Sequence, residues 1–213
     1  KETNNIVYRN YPGEVVTFTS DSQIAPIFEI ERDYNVIDSI NFSGYGSWFR
    51  IGYDGSVNHW TIRNCKFTQI YSGDKHQYAV NANGHANYVT ICNCEFNGPG
   101  NGVEVQQNTS PIIAFHSNNL LVYNCNIKNY PIGIYQKHGT QLNEHSGIIL
   151  RKNFIFNCLR NAISLNASNA LVDSNIIGVN CGNMIIYEED GGQRGDSNTV
   201  SNNIFYGTRM FNC

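Results

Sequence analysis

Apolar and polar residues alternate with period two in a short phrase that returns along the chain. Its clearest copies are residues 62–67 (IRNCKF), 91–96 (ICNCEF) and 122–127 (VYNCNI). Looser copies fall before and after them, and aligning all of them gives the column Ile40, Cys65, Cys94, Cys125, Asn153, Asn175, Asn203, with steps of 22 to 31 residues. A repeat of that length is the mark of a solenoid. Each phrase is too short for a helix and has the period of a strand, so the repeating unit is built from strands.

A second apolar strand follows each phrase. The pattern predicts these at residues 28–30, 49–51, 80–82, 103–105, 132–134, 163–165, 184–186 and 210–211. The expected architecture is all-β, a single-stranded parallel β-helix of about seven to eight coils stacked roughly 4.8 Å apart. Because each coil packs only on its neighbours, residues 1–213 read as one domain.

Residues 6–15 hold Ile6, Tyr8, Asn10, Tyr11, Pro12, Gly13, Glu14 and Val15, a strand, a Pro-Gly turn and a second strand. In this stretch the chain resembles carbohydrate-active right-handed parallel β-helix proteins of the pectate-lyase-like superfamily, in which a phrase of the type I-x-x-N-Y-P-G-E-x-V lies in an early coil. Residues 201–205 (SNNIF) are similar to the same superfamily. The resemblance implies a right-handed coil, an extracellular or cell-surface location, and a polysaccharide partner handled by Lys and Arg on the outer face.

Composition sharpens this picture at three points. The 32 asparagines suit turns that need left-handed backbone, and stacked amides form hydrogen-bonded ladders. A formal charge of −3 and a pI near 6.1 leave no electrostatic footprint for nucleic acid or an anionic membrane. The seven cysteines lack zinc-site spacing, so Cys65, Cys94 and Cys125 read as a stacked apolar column, and one adjacent pair could form a disulfide.

Function is expected outside the core. With Val103 and Val105 inward, one outward column reads Arg50, Asn81, Glu104, Gly133, Ser164, Ile185, and the next reads Gly52, Asn83, Gln106, Tyr135, Asn166, Tyr187. Three long connectors, residues 108–119, 137–147 and 188–198, leave one corner of the coil, and residues 71–78 leave the opposite one. Amides and acids pair with sugar hydroxyls, and aromatic rings pack on pyranose faces. Arg50, Asn81, Glu104, Gln106, Asn166 and Tyr187 are therefore the candidate substrate-binding residues.

Elimination on a uronic-acid polymer needs a base, a proton donor and neutralisation of the substrate carboxylate. Lys137 is the candidate base, Tyr135 or His138 the proton donor, and Arg194 the neutralising cation. Glu188, Glu189 and Asp190 could instead collect Ca²⁺ through oxygen ligands. Hydrolysis fits less well, because Glu104 lies several coils, about 15 Å, from Glu188 or Asp190, too far for a glycosidase pair.

Three sequons occur, at Asn41, Asn108 and Asn166. No amphipathic helix caps either end, which suggests a fragment of a longer protein or a homo-oligomer stacked end to end as a fibre or adhesin. This structural role is the alternative to a carbohydrate-active one.

Overall fold

The computed structural model describes residues 6–21, 26–70, 77–100, 109–137, 146–186 and 197–207. Within them the chain winds through three parallel sheets. Sheets A and B each have eight strands and sheet C has seven. One coil runs Val57–Arg63 in sheet A, Lys66–Ile70 in sheet B and Val80–Ala82 in sheet C, and the next coil begins at Ala86–Cys92. Every described strand pairs with its counterpart one coil away, in parallel.

The recurring phrase is the corner from sheet A to sheet B. Its middle residue takes left-handed backbone in seven successive coils: Ser39, Asn64, Asn93, Asn124, Lys152, Ser174 and Asn202 have φ between 52° and 60°. The N–H of Asn64 reaches the Cys92 carbonyl at 3.1 Å, and that of Asn93 reaches Tyr123 at 3.1 Å, so each corner is tied to the next. The following residue points inward and forms the expected column from Ile40 to Asn203.

That column is more than apolar packing. The Asn153 side chain donates to the Val122 carbonyl at 3.0 Å, Asn175 to Leu150 at 2.9 Å and Asn203 to Val172 at 2.8 Å. The thiols of Cys65, Cys94 and Cys125 lie 3.1, 3.2 and 3.4 Å from the Arg63, Cys92 and Tyr123 carbonyls of their own coil, and 3.8, 3.7 and 3.6 Å from the equivalent carbonyls of Ile37, Ile62 and Ile91. Cysteine thus occupies the asparagine position as a smaller, weaker donor. Burial pushes the Cys94 thiol well above its ordinary pKa, so it keeps the proton it donates. All six described cysteines are free thiols.

Two residues further on, sheet B turns Phe18, Phe42, Phe67 and Phe96 into the core as a ladder. Its ring centroids are 5.8, 4.8 and 4.9 Å apart and its planes lie within 12°. From the fifth coil onward the column passes to Ile127, Ile155 and Ile177, all fully buried. At the corner after sheet C, Gly84 has φ of +60°, and a Cβ there would run into the Gly52 carbonyl of the coil below.

Sheet C departs from expectation at two places. Its fourth described strand is Ile112–Phe115, within what reads as a long connector; the expected strand 103–105 lies outside the described residues. Ile112 pairs with Val80 on one side and Ile134 on the other, so the register is fixed by both neighbours. The next strand, Ile132–Lys137, contains the expected 132–134, but its register against the neighbouring coil is shifted by two residues: Ile134 pairs with Ile163, and Gln136 pairs with Leu165.

Gln136 therefore sits at an inward position, 1% exposed. Its Nε2 donates to the Lys137 carbonyl at 2.8 Å, and its Oε1 accepts from the Asn166 backbone N–H at 2.5 Å. A satisfied buried amide breaks the apolar pattern from which the strand was placed. One further consequence concerns the connectors: residues 101–108 lie between sheets B and C in chain order, as residues 71–76 do, whereas 138–145 and 187–196 lie between C and A.

The amide ladder should dominate the stability of the later coils. Asn175→Leu leaves the buried Asn153 N–H without a partner and takes the side-chain donor from the Leu150 carbonyl, the orphaned N–H costing about 1–3 kcal/mol. The expected loss is about 1–3 kcal/mol, read as a lower urea midpoint at unchanged slope.

Candidate functional site

The outer face of sheet C is set by its register. Its first outward column reads Glu29, Arg50, Asn81, Ile113, Tyr135 and Ser164. Of the residues predicted for this column, Arg50, Asn81 and Ser164 stand as expected. Ile113 takes the position given to Glu104, and Tyr135 moves here from the second column. In the second column Phe115 pairs with Lys137, where Gln106 and Tyr135 were expected.

Arg50 is a cation held by several partners on this face. Its Nη1 lies 3.1 Å from Glu29 Oε1, and its Nε donates to the Tyr78 hydroxyl at 3.3 Å. The guanidinium carbon sits 4.3 Å from the centroid of the Tyr53 ring. Burial alone would lower the Arg50 pKa, but the Tyr78 hydrogen bond and the Glu29 charge raise it above the ordinary value. Asn81, one rung along, is 8% exposed, and its Oδ1 is buried without a hydrogen-bond partner. Glu29 and Arg50 occupy the same place in the triplets F-E-I and F-R-I, so the repeat already carries the signal for this pair. Tyr53 and Tyr78 carry no such periodic signal.

Beyond Asn81 the face becomes apolar and covered. Tyr78, Ile113, Ile132 and Tyr135 form a separate buried cluster, none more than 5% exposed. Tyr135, the predicted proton donor, is therefore a packing residue in this structure. Lys137 ends its strand half-buried, with Nζ 5.9 Å from the Phe115 ring centroid. Arg50 and Lys137 stand three rungs apart, about 14 Å along the axis.

Asn166 is 6% exposed just past Leu165. His138, Arg194, Glu104, Gln106, Tyr187, Glu188, Glu189 and Asp190 lie outside the described residues. Among the described residues, no three His, Cys, Asp or Glu side chains are grouped to hold a metal ion.

With this geometry the comparison with protein families is direct, because a model described as "right handed beta helix region" matches residues 50–212. The chain belongs to the right-handed β-helix family. The match fixes the hand of the coil and the continuity of the repeat to the last described coils, and a search of curated proteins finds no match. Membership in this β-helix family establishes the scaffold; the chemistry has to come from the side chains on its outer faces.

The burial of Asn166 bears on its sequon. When the protein is secreted from a glycosylating host, peptide mapping of the folded material should find Asn166 unmodified. A glycan there would require the turn after Leu165 to open.

Proposed function

We propose that the Arg50 end of sheet C binds an acidic polysaccharide outside the cell. The Glu29–Arg50 pair carries this reading. Glu29 is half-exposed, and an ion pair of that kind contributes only about 0–1 kcal/mol. An incoming uronate carboxylate can take the place of Glu29 at little cost, while Tyr78 and Tyr53 keep the guanidinium aimed. Arginine suits the task because its planar fork matches a carboxylate in two hydrogen bonds. The exposed Tyr53 ring adds apolar surface for a pyranose face.

Turnover by β-elimination is the catalytic form of the same proposal. Lys137 would be its base, with His138 as proton donor and Arg194 as the neutralising cation. Any Ca²⁺ would be held by Glu188, Glu189 and Asp190. Arg50 and Lys137 stand about 14 Å apart, too far to act on one sugar, and His138 and Arg194 lie outside the described residues, so binding is the better-supported part.

Glu29→Gln should raise the affinity for polygalacturonate several-fold, and Arg50→Ala should lower it about tenfold or more, by loss of a charged hydrogen bond. Isothermal titration decides this; equal affinity in all three proteins would remove Arg50 from the site. Incubating the wild type with pectate, alginate and glycosaminoglycans while following absorbance near ~235 nm tests elimination separately.

A second reading rests on the first described coil. A cavity of about 510 Å³ there is lined by core-type residues including Phe18, Phe28, Phe42 and Trp60, and Phe18 is 43% exposed. Stacking of a second copy would continue the inward column from Phe205 to Phe18 and cover this surface, as a fibre or adhesin requires. Under this reading sedimentation shows masses in multiples of 24.0 kDa that persist in reductant; monomers at all concentrations would sink it.

A further inference from the structure

The corner from sheet C to sheet A carries its own column of left-handed residues. Tyr34, His59, Tyr88, Asn119, Gly147, Asn169 and Ser197 have φ between 54° and 69°. Their equivalence follows from the ladder: the N–H groups of Tyr34, Tyr88 and Asn119 donate to Asn58, Asn118 and Ser146, the residues just before the next member of the column. Asn, Gly and Ser suit such a position. Tyrosine does not, because left-handed backbone costs an ordinary side chain about 1–2 kcal/mol.

What the first three coils gain is a surface stack. The rings of Tyr34 and His59 lie 4.8 Å apart at 13°, and those of His59 and Tyr88 lie 4.8 Å apart at 8°. A stacked pair contributes about 0.5–1.5 kcal/mol, which at best offsets the backbone cost. The rings are not buried: His59 is exposed, and Tyr88 is 52% exposed. Stability alone is a poor reason to place tyrosine here.

The stack stops at Tyr88. The next rung has Asn119, too short to cover a phenol ring, and the rung after it has Gly147, with no side chain. Beside this step runs a polar column of Asn87, Asn118, Ser146 and Ser168, one residue back from the left-handed positions. Among the described residues of this corner beyond Tyr88, 116–120, 146–148, 167–170 and 197–198, there is no Asp, Glu, Lys or Arg.

We propose that the free face of Tyr88 is a binding platform for a neutral pyranose, which takes the place of the next ring in the ladder above Asn119 and Gly147. The rung spacing of roughly 4.8 Å leaves the space of one ring above Tyr88, and an aromatic face offers apolar surface to it. The neighbouring amides and hydroxyls offer the mixed donors and acceptors that hydroxyl groups need. The absence of charge among the described residues of the step favours neutral sugars over uronates. This site is separate from the Arg50 face and does not depend on the acidic-glycan reading.

Two variants test it, both keeping residue types already found in this column. Tyr88→Asn removes the platform; Asn119→Tyr extends the ladder by one ring and fills the step. The wild type is titrated with cellohexaose, xylohexaose and mannohexaose while tyrosine ring resonances are followed by NMR. The expected result is a shift of the one tyrosine signal that Tyr88→Asn deletes, a loss of affinity of about tenfold or more in both variants, and unchanged affinity in Arg50→Ala. The thermal midpoint of Asn119→Tyr should be equal to or somewhat below that of the wild type, since the added stack at best offsets the left-handed backbone cost. The proposal is overturned if no neutral hexaose moves the Tyr88 signal at millimolar concentration, or if either variant binds as the wild type does.

Discussion

Each coil of this protein lies on another copy of itself roughly 4.8 Å away, so every side chain must be compatible with its own counterpart above and below. That condition explains the core columns better than hydrophobicity does. Phe42, Phe67 and Phe96 stack because flat rings are self-complementary at this spacing. Asn153, Asn175 and Asn203 recur because an amide can both give and accept a hydrogen bond along the axis. Cys65, Cys94 and Cys125 fit the same slot because a thiol reaches the same carbonyl without needing an acceptor above it.

The same condition governs what a reader of the sequence could see. The corner from sheet A to sheet B is legible because its left-handed residue and its inward residue are adjacent and repeat together, and nothing of variable length separates the two sheets there. Sheet C is entered and left through connectors of unequal length. Its register is set by hydrogen bonds to neighbouring coils, so residues 103–105 and Ile112–Phe115 were equally plausible as an apolar strand. Gln136 then misled the pattern a second time: its partners, the Lys137 carbonyl and the Asn166 N–H, are invisible in a count of apolar positions.

The candidate site was correspondingly half legible. Arg50 and Asn81 could be placed on the outer face because Phe49 and Ile51, Val80 and Ala82 bracket them with inward residues. Tyr78 and Tyr53, which aim the guanidinium, lie outside the strands and carry no period. Tyr135 could be read as an exposed ring only while its register was two residues out; in register it packs against Tyr78 and Ile113.

Self-stacking also tells which positions are free to report function. Inward columns answer to the core, and the corner from A to B answers to the backbone, so their residues vary within narrow chemical limits. Outer columns and the corner from C to A face no such demand, and the cheapest occupants there are small and polar, as Asn169 and Ser197 are. A tyrosine held in left-handed backbone on an exposed ridge, or an arginine spanned by two tyrosines and one weak ion pair, departs from the cheapest choice. The outer face of sheet B makes the same kind of departure in its later coils. There the polar sequence Asn41, Lys66, Glu95, Asn126 gives way to Phe154, Ile176 and Ile204, exposed by 42%, 41% and 58%. Nothing in coil stacking requires that change.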